Sequence, residues 1–362
     1  MYSNKIPLKI HVELTDKCNA VCIQCSRNKL DKNTKEIKAR PDLLLTELTL
    51  KDFKFMFDGI EEVMDTGSQP PVAGVTFCGN FGDPVAAKES LQIYEYLLND
   101  LGVNFIHVHT NGALRPKWYW EKLGKLFSTR FKKDRSGCVV TFALDGLEDT
   151  HHLYRVNTTY KKVIENAKTY IAAGGPAEWS LIGFGHNEHQ IEEARQRASD
   201  LGFISFNYTK THRFQNKDHI DYIFKGKEYR ITAPTKDKRV TSGKKKYEKT
   251  EPTETKIDCI VKKRNEIFIG ADGVVDACCW MGSSSYYVNH LGARYKSGDV
   301  YNFLHFEKED LNIKEIPLKD IVFSQYFKKT LPASWELQPC NTCTRVCGVD
   351  YRTYRDREQL QS

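Results

Sequence analysis

The chain has 362 residues, too many for one small module and suited to one large α/β domain with a smaller appendage. Hydrophobic residues at 40% and charged residues at 28% are ordinary for a globular chain and leave enough apolar material for a sizeable core. Residues 1–7 carry no secretory pattern and no run of about 18 apolar residues follows, so the expectation is a cytoplasmic protein that makes no use of a membrane.

From residue 8 to about 208, short β-rich runs alternate with helical patterns, the rhythm of a parallel sheet covered by helices. Strands are expected at 8–14, 74–78, 103–109, 138–144, 179–184 and 203–208. Thr49 and Asp52 have capping-box spacing, and Phe53, Met56, Ile60 and Val63 share one face of the helix that follows. A second helix follows Pro84. Asn187 and Gln190 repeat the capping-box spacing ahead of Ile191, Ala194, Ala198 and Leu201, and Gly202 is placed to end that helix. Six βα units fall short of the eight of a complete barrel. They predict a partial (β/α)6 TIM-like barrel of the α/β class, with its reactive groups at the C-terminal ends of the strands.

Beyond residue 210 the rhythm stops. Residues 216–256 read as a basic linker, which carries much of the net charge of +7. From residue 225 to residue 249, Lys225, Lys227, Arg230, Lys236, Lys238, Arg239, Lys244, Lys245, Lys246 and Lys249 stand against three acids. Such a run is either a solvated connector or a contact for an acidic peptide or a nucleic-acid backbone. Residues 266–269 and 274–277 then flank Gly270-Ala271-Asp272-Gly273, a hairpin signal. The expected organisation is a barrel over 1–215, the linker, a small β-hairpin and helix unit over 257–350, and a tail at 351–362.

Eleven cysteines, an odd number, point in a reducing compartment to metal ligation over a disulfide framework. Cys18, Cys22 and Cys25 lie on one short stretch just past the first strand, at the end where a barrel carries its chemistry. Three thiolates on one loop can bind three irons of a cubane and leave the fourth iron open to an exchangeable ligand. A zinc ion, which closes with four protein ligands, lacks its fourth in this stretch. The Cys-x3-Cys-x2-Cys spacing after a first strand resembles the signature of the radical S-adenosylmethionine (SAM) superfamily. The resemblance implies a [4Fe-4S] cluster on Cys18, Cys22 and Cys25 whose open iron is chelated by the amino and carboxylate groups of SAM. It further implies reductive cleavage of SAM to a 5′-deoxyadenosyl radical, fed by a flavodoxin- or ferredoxin-like electron donor. In that family the position before the third cysteine is commonly apolar or aromatic and stands near the adenine, whereas here it is Gln24.

Other segments carry the same resemblance. Phe81-Gly82-Asp83-Pro84, preceded by Cys78-Gly79-Asn80, is similar to the family's Gly-Gly-Glu-Pro turn, which accepts hydrogen bonds from the SAM amino group. Asp83 and Pro84 are equally a good N-cap and first helical residue. Thr110 and Asn111, and the run from Thr141 through Asp145 to Arg155, resemble radical SAM enzymes that carry a further C-terminal cluster domain. Those relatives often read Ser-Leu-Asp-Gly where this chain has Ala143-Leu144-Asp145-Gly146. Asp145 and Arg155 are then implied contacts for the ribose or carboxylate of SAM, against plain readings as a helix cap and a surface arginine. His186 and His189 flank the end of the fifth strand, where they either line the pocket or cap the loop.

Cys259, Gly273 and Cys278 reproduce the spacing of the twitch and SPASM auxiliary-cluster domains, and Cys340-Asn341-Thr342-Cys343 adds a pair. The implied ligands of an auxiliary [4Fe-4S] cluster are Cys259, Cys278, Cys340 and Cys343, with Cys279 and Cys347 as spares that spacing does not separate. Zinc on the same four thiols is the competing reading. Cys78 and Cys138 read as small core residues. The expectation is a two-cluster enzyme that abstracts hydrogen from a peptide or small molecule, oxidising or cross-linking it. The alternative from another class is a nucleic-acid-binding metalloprotein with structural iron-sulfur or zinc sites.

Overall fold

The computed structural model describes residues 1–130, 137–211, 213–214, 217–235, 256–290, 311–337 and 339–349. The expected lysine cluster at 244–246 and the tail at 351–362 lie outside the described residues. In chain order the strands are β1 (Leu8–Val12), β2 (Asn28–Leu30), β3 (Ile37–Ala39), β4 (Val72–Phe77), β5 (Phe105–Thr110) and β6 (Val139–Ala143). They continue with β7 (Ala177–Gly183), β8 (Ser205–Lys210), β9 (His219–Phe224), β10 (Lys227–Thr232), β11 (Glu266–Ile269) and β12 (Val275–Asp276). The expected six barrel strands all form, and β1, β4, β5, β6, β7 and β8 are parallel neighbours in that order. Helices follow them as the rhythm predicts, among them Ser90–Asn99, Lys117–Ser128, Tyr160–Ala172 and Ile191–Asp200.

Strand alternation divides the sheet into two faces. Ile10, Val12, Val75, Phe77, Ile106, Val108, Val140, Phe142, Trp179 and Leu181 are fully buried in one apolar core with helix residues such as Phe53, Tyr94, Trp120, Val163 and Tyr170. Each large side chain withdrawn from water in this way contributes about 1.5–3 kcal/mol. The intervening residues His11, Thr76, His107, His109, Ser180 and Asn207 turn to the other face and stay half-buried or exposed. A complete barrel would fill that face with branched apolar side chains. This one is left polar and partly open.

Local signals formed where the sequence put them. Thr49 accepts from Asp52 N at 3.3 Å while Asp52 Oδ2 accepts from Thr49 N at 2.7 Å. The helix it caps, Leu50–Met56, stops before Gly59 (φ +64°) and restarts at Ile60–Val63. The Asn187/Gln190 box does not form. Asn187 Oδ1 instead accepts from Phe184 N, its amide donates to Asp145 O and Ile182 O, and Gln190 Oε1 accepts from Leu147 N.

Two features depart from the expected organisation. Within the basic segment, β9 and β10 pair antiparallel around Lys225-Gly226, both at positive φ as a tight two-residue hairpin turn requires. Tyr222 and Ile231 of this hairpin pack into a second apolar cluster with Ala20, Cys22, Ile23, Tyr154 and Phe184, so the hairpin backs onto the cysteine loop. The C-terminal hairpin β11–β12 forms as expected, but β11 also pairs in parallel with β1, Lys9 opposite Glu266 through Val12 opposite Ile269. The C-terminal unit thereby extends the barrel sheet on the edge next to the first cysteine loop. Among the described residues no helix is long and apolar enough to cross a membrane.

Candidate active site

The loop after β1 holds Cys18, Cys22 and Cys25, none of them in a disulfide. Its backbone is fixed by Cys25 N to Cys22 O (3.1 Å), Ala20 N to Cys18 Sγ (3.4 Å) and Val21 N to Val156 O (2.9 Å). Burial pushes all three thiols above their ordinary pKa, Cys22 to about 12 against the opposing pull of Arg155. A bound cation reverses that balance, since metal coordination favours the thiolate.

The turn after β4 is stitched to this loop. Asp83 N donates to Lys17 O at 2.9 Å. Gly82 lies against the carbonyl of Thr15, leaving no room for a Cβ. Glu13, at the end of β1 and 2% exposed, accepts from Phe81 N at 2.5 Å and Gly82 N at 3.0 Å. Burial raises the Glu13 pKa to about 8, with Asp16 and Asp272 adding to the shift and the two backbone donors opposing it. Asp83 does cap the short helical turn at Pro84–Ala86, accepting from Val85 N at 3.2 Å. The same carboxylate also accepts from the Thr110 hydroxyl (2.8 Å) and from Asn111 N (2.7 Å). Asn111 in turn reaches the cysteine loop, with Nδ2 2.9 Å from Asn19 Oδ1 and 3.6 Å from Cys18 Sγ. Asn80 turns the other way, donating to Cys279 O at 3.0 Å.

Arg155 is not a surface arginine. Its Nε donates to Asp145 Oδ2 at 2.6 Å, and its Nη1 stands 4.0 Å from Cys22 Sγ. Asp145 is fully buried and its other oxygen accepts from Ile182 N at 2.6 Å, so it orients Arg155 toward the thiol. Both polar atoms of the Gln24 side chain are buried with no protein partner, as are both ring nitrogens of His186. The His186 ring stacks on Phe184 with centroids 5.0 Å apart, and burial lowers its pKa to about 4. His189 is exposed. The structure therefore brings together Cys18, Cys22, Cys25, Asn80, Phe81, Gly82, Asp83, Pro84, Thr110, Asn111, Asp145 and Arg155 at one end of the sheet.

The polar sheet face adjoins this site. His107 and His109 alternate onto the same side of β5, and Asn111, which approaches Cys18, follows just past the strand's end. His109 is open to the polar face, yet the surrounding protein, then His107 and His11, lowers its pKa. Sequence reading missed Glu13 and these histidines. The available signal was an acid and three imidazoles inside otherwise apolar strands.

The second thiol group lies beneath Trp280 and Trp335. Cys259, Cys278, Cys343 and Cys347 line one cavity with Val261, Met281 and Val346. The Cys259 and Cys347 thiols are neighbours, as are those of Cys340 and Cys343. Cys340 is 1% exposed and accepts from Cys343 N at 3.4 Å, capping the helix Asn341–Cys347. Of the two spare thiols, Cys347 joins the cavity. Cys279 instead has Cys78 and Glu266 as its neighbours. Cys138 is buried as expected, while Cys78 is only half-buried and lies near Glu13 and Asp83. Among the described residues no three His, Cys, Asp or Glu side chains converge on a single ion-sized point.

The fold is shared with solved structures of low sequence identity, and the likeness is one of fold alone. The structure of anSMEcpe with bound AdoMet and the Cp18Cys peptide superposes with a TM-score of 0.53 at 12% identity, over 98% of this chain and 96% of that one. The tagged anSMEcpe with bound AdoMet gives 0.52 at 13% identity, over 98% and 92%. SuiB from Streptococcus suis bound to the precursor peptide SuiA gives 0.50 at 13% identity, over 90% and 67%. No protein-family model and no curated protein matches the chain.

Proposed function

We propose that this chain is a radical SAM enzyme: it binds SAM on a [4Fe-4S] cluster held by Cys18, Cys22 and Cys25 and modifies a peptide substrate. The observation that carries the reading is the convergence on one three-thiol loop of Asn111, Arg155 and the partnerless amide of Gln24. A cluster held there would supply reducing electrons for cleavage of bound SAM and so the means to take a hydrogen atom from substrate.

The chain's own residues hold that site. Asp83 locks Thr110 and Asn111 to the 78–84 turn, Glu13 fixes the backbone of the same turn, and Asp145 aims Arg155 at Cys22. Gln24 has an unused donor and acceptor, which suit a purine edge or a ribose hydroxyl. The cavity lined by Cys259, Cys278 and Cys343 suits an auxiliary [4Fe-4S] cluster of the twitch type with Cys340 as fourth ligand. Cys347, in contact with Cys259, is the alternative fourth ligand. A peptide is favoured over a small molecule because anSMEcpe and SuiB are seen with peptides and the polar sheet face below Asn111 offers hydrogen-bonding groups along its length. A flavodoxin- or ferredoxin-like protein would supply the electron, in the reducing cytoplasm where the eleven thiols stay reduced.

Anaerobic reconstitution with iron and sulfide, followed by reduction in the presence of SAM, tests the reading. The expected result is 5′-deoxyadenosine from the unaltered protein and none from Cys22→Ala. Undiminished cleavage in that variant contradicts the site.

A further inference from the structure

One helix ties the two thiol sites together. Cys279–His290 begins immediately after Cys278 and crosses both loops of the proposed SAM pocket. At its first turn the Cys279 carbonyl accepts from Asn80 Nδ2 at 3.0 Å. Farther along, Ser285 Oγ donates to Asp276 Oδ1 at 3.2 Å, holding the helix to β12. Tyr286, 3% exposed, donates its hydroxyl to Asp16 Oδ2 at 2.5 Å and accepts from Leu44 N at 3.0 Å. The same Asp16 oxygen accepts from Leu45 N at 3.0 Å. The tyrosine ring lies 4.5 Å from that of Phe81, and the two form a small buried cluster with Leu43.

Asp16 is fully buried two residues before Cys18, and Phe81 is in the turn that Glu13 and Asp83 hold. Tyr286 therefore grips the cysteine loop with its hydroxyl and the 78–84 turn with its ring. It reaches neither the thiols nor the partnerless Gln24. A hydroxyl bonded to a buried carboxylate is among the stronger neutral-to-charged hydrogen bonds, and it spans residues far apart in the chain. A helix that starts beside a cavity thiol and carries Tyr286 onto the SAM loops joins the two sites through one element.

We propose that Tyr286 is a positioning residue that couples the C-terminal thiol cavity to the SAM pocket: metal in the cavity orders the start of the helix, and Tyr286 passes that order to Asp16 and Phe81, raising SAM affinity. The coupling is reciprocal, so bound SAM slows loss of metal from the C-terminal cavity. The inference rests on the reading of both thiol groups as cluster sites.

The test is a double-mutant cycle on the reconstituted full-length chain, read as the SAM dissociation constant by calorimetry, with iron content and melting temperature measured alongside. Tyr286→Phe keeps the ring and removes the hydroxyl. SAM binding should weaken roughly tenfold, the scale of one charge-assisted hydrogen bond, with iron content unchanged. Cys278→Ala should lower C-terminal iron and weaken SAM binding in the unaltered background, with little further loss when combined with Tyr286→Phe. If Cys278→Ala does not fold, Cys343→Ala removes a thiol from the same cavity and takes its place. Unchanged SAM affinity in Tyr286→Phe overturns the proposal, as does full additivity of the two substitutions. Failure of the unaltered, iron-loaded protein to bind SAM at all overturns the pocket reading itself, and this inference with it.

Discussion

The two thiol groups of this chain differ in what lies beside them. Cys18, Cys22 and Cys25 are backed by an apolar cluster but also have Asn111, Arg155 and the partnerless atoms of Gln24 beside them. Cys259, Cys278, Cys343 and Cys347 lie in a cavity walled by Trp280, Met281, Trp335 and Val346, where the thiols contact one another. A site that exchanges a charged ligand needs spare donors and acceptors, whereas one that holds a closed cluster needs thiols and exclusion of water. Under the proposed function, the first group would take SAM and the second a permanent cluster.

The largest effect expected from breaking this contrast is on iron content. The unaltered protein should bind about eight irons, four per cubane. Replacing Cys18, Cys22 and Cys25 together should leave about four and remove all SAM cleavage. Replacing Cys278 and Cys343 together should also leave about four, retain cleavage at saturating SAM, and lower the melting temperature, because metal in a buried site contributes to folding. Elemental analysis distinguishes this from a zinc site, which predicts about four irons and one zinc in the unaltered protein.

A smaller effect is expected at Asp83. Its carboxylate serves Val85, Thr110 and Asn111 at once, so it is more than the helix cap that the local sequence suggests. Asp83→Ala should cost about 1–3 kcal/mol of stability by stranding buried donors. SAM affinity should fall as well, since Asn111 loses its anchor. Denaturant unfolding and calorimetry on one preparation separate the two losses, and an unchanged SAM affinity confines Asp83 to capping.

The smallest effect concerns pH. Glu13 has its pKa raised by burial from 4.5 to about 8, so between those values the folded chain holds a proton that the unfolded chain has released. Stability from this group is therefore full below about pH 4.5 and is lost as pH rises toward about 8. Glu13→Gln should flatten that part of the stability profile and gain most at pH 8, measured by urea unfolding across the range. A profile as steep in the variant as in the unaltered protein would place the titrating group elsewhere.

What was legible in the sequence was local. The six barrel strands follow from period and turn residues, and the Thr49–Asp52 box from spacing alone, because their partners lie within a few residues. The Asn187–Gln190 box had the same spacing and failed because both side chains have tertiary partners in Asp145, Ile182 and Leu147. The β9–β10 hairpin was hidden under its lysines, although Lys225-Gly226 is a turn signal. Glu13 and Tyr286 act on Phe81, Gly82 and Asp16 across long chain separations, which no spacing rule reaches. The choice between Cys340 and Cys347 stayed open in the sequence for the same reason; Cys340 lies beside Cys343 and Cys347 beside Cys259.

The most direct measurement of the central claim is the Mössbauer spectrum of the iron-57-reconstituted protein with and without SAM. The account predicts that SAM shifts the signal of one iron in one cluster and leaves the other cluster unchanged, and that the responsive cluster is missing when Cys18, Cys22 and Cys25 are replaced. A spectrum that SAM does not perturb, or a perturbation that survives in that variant, would contradict it.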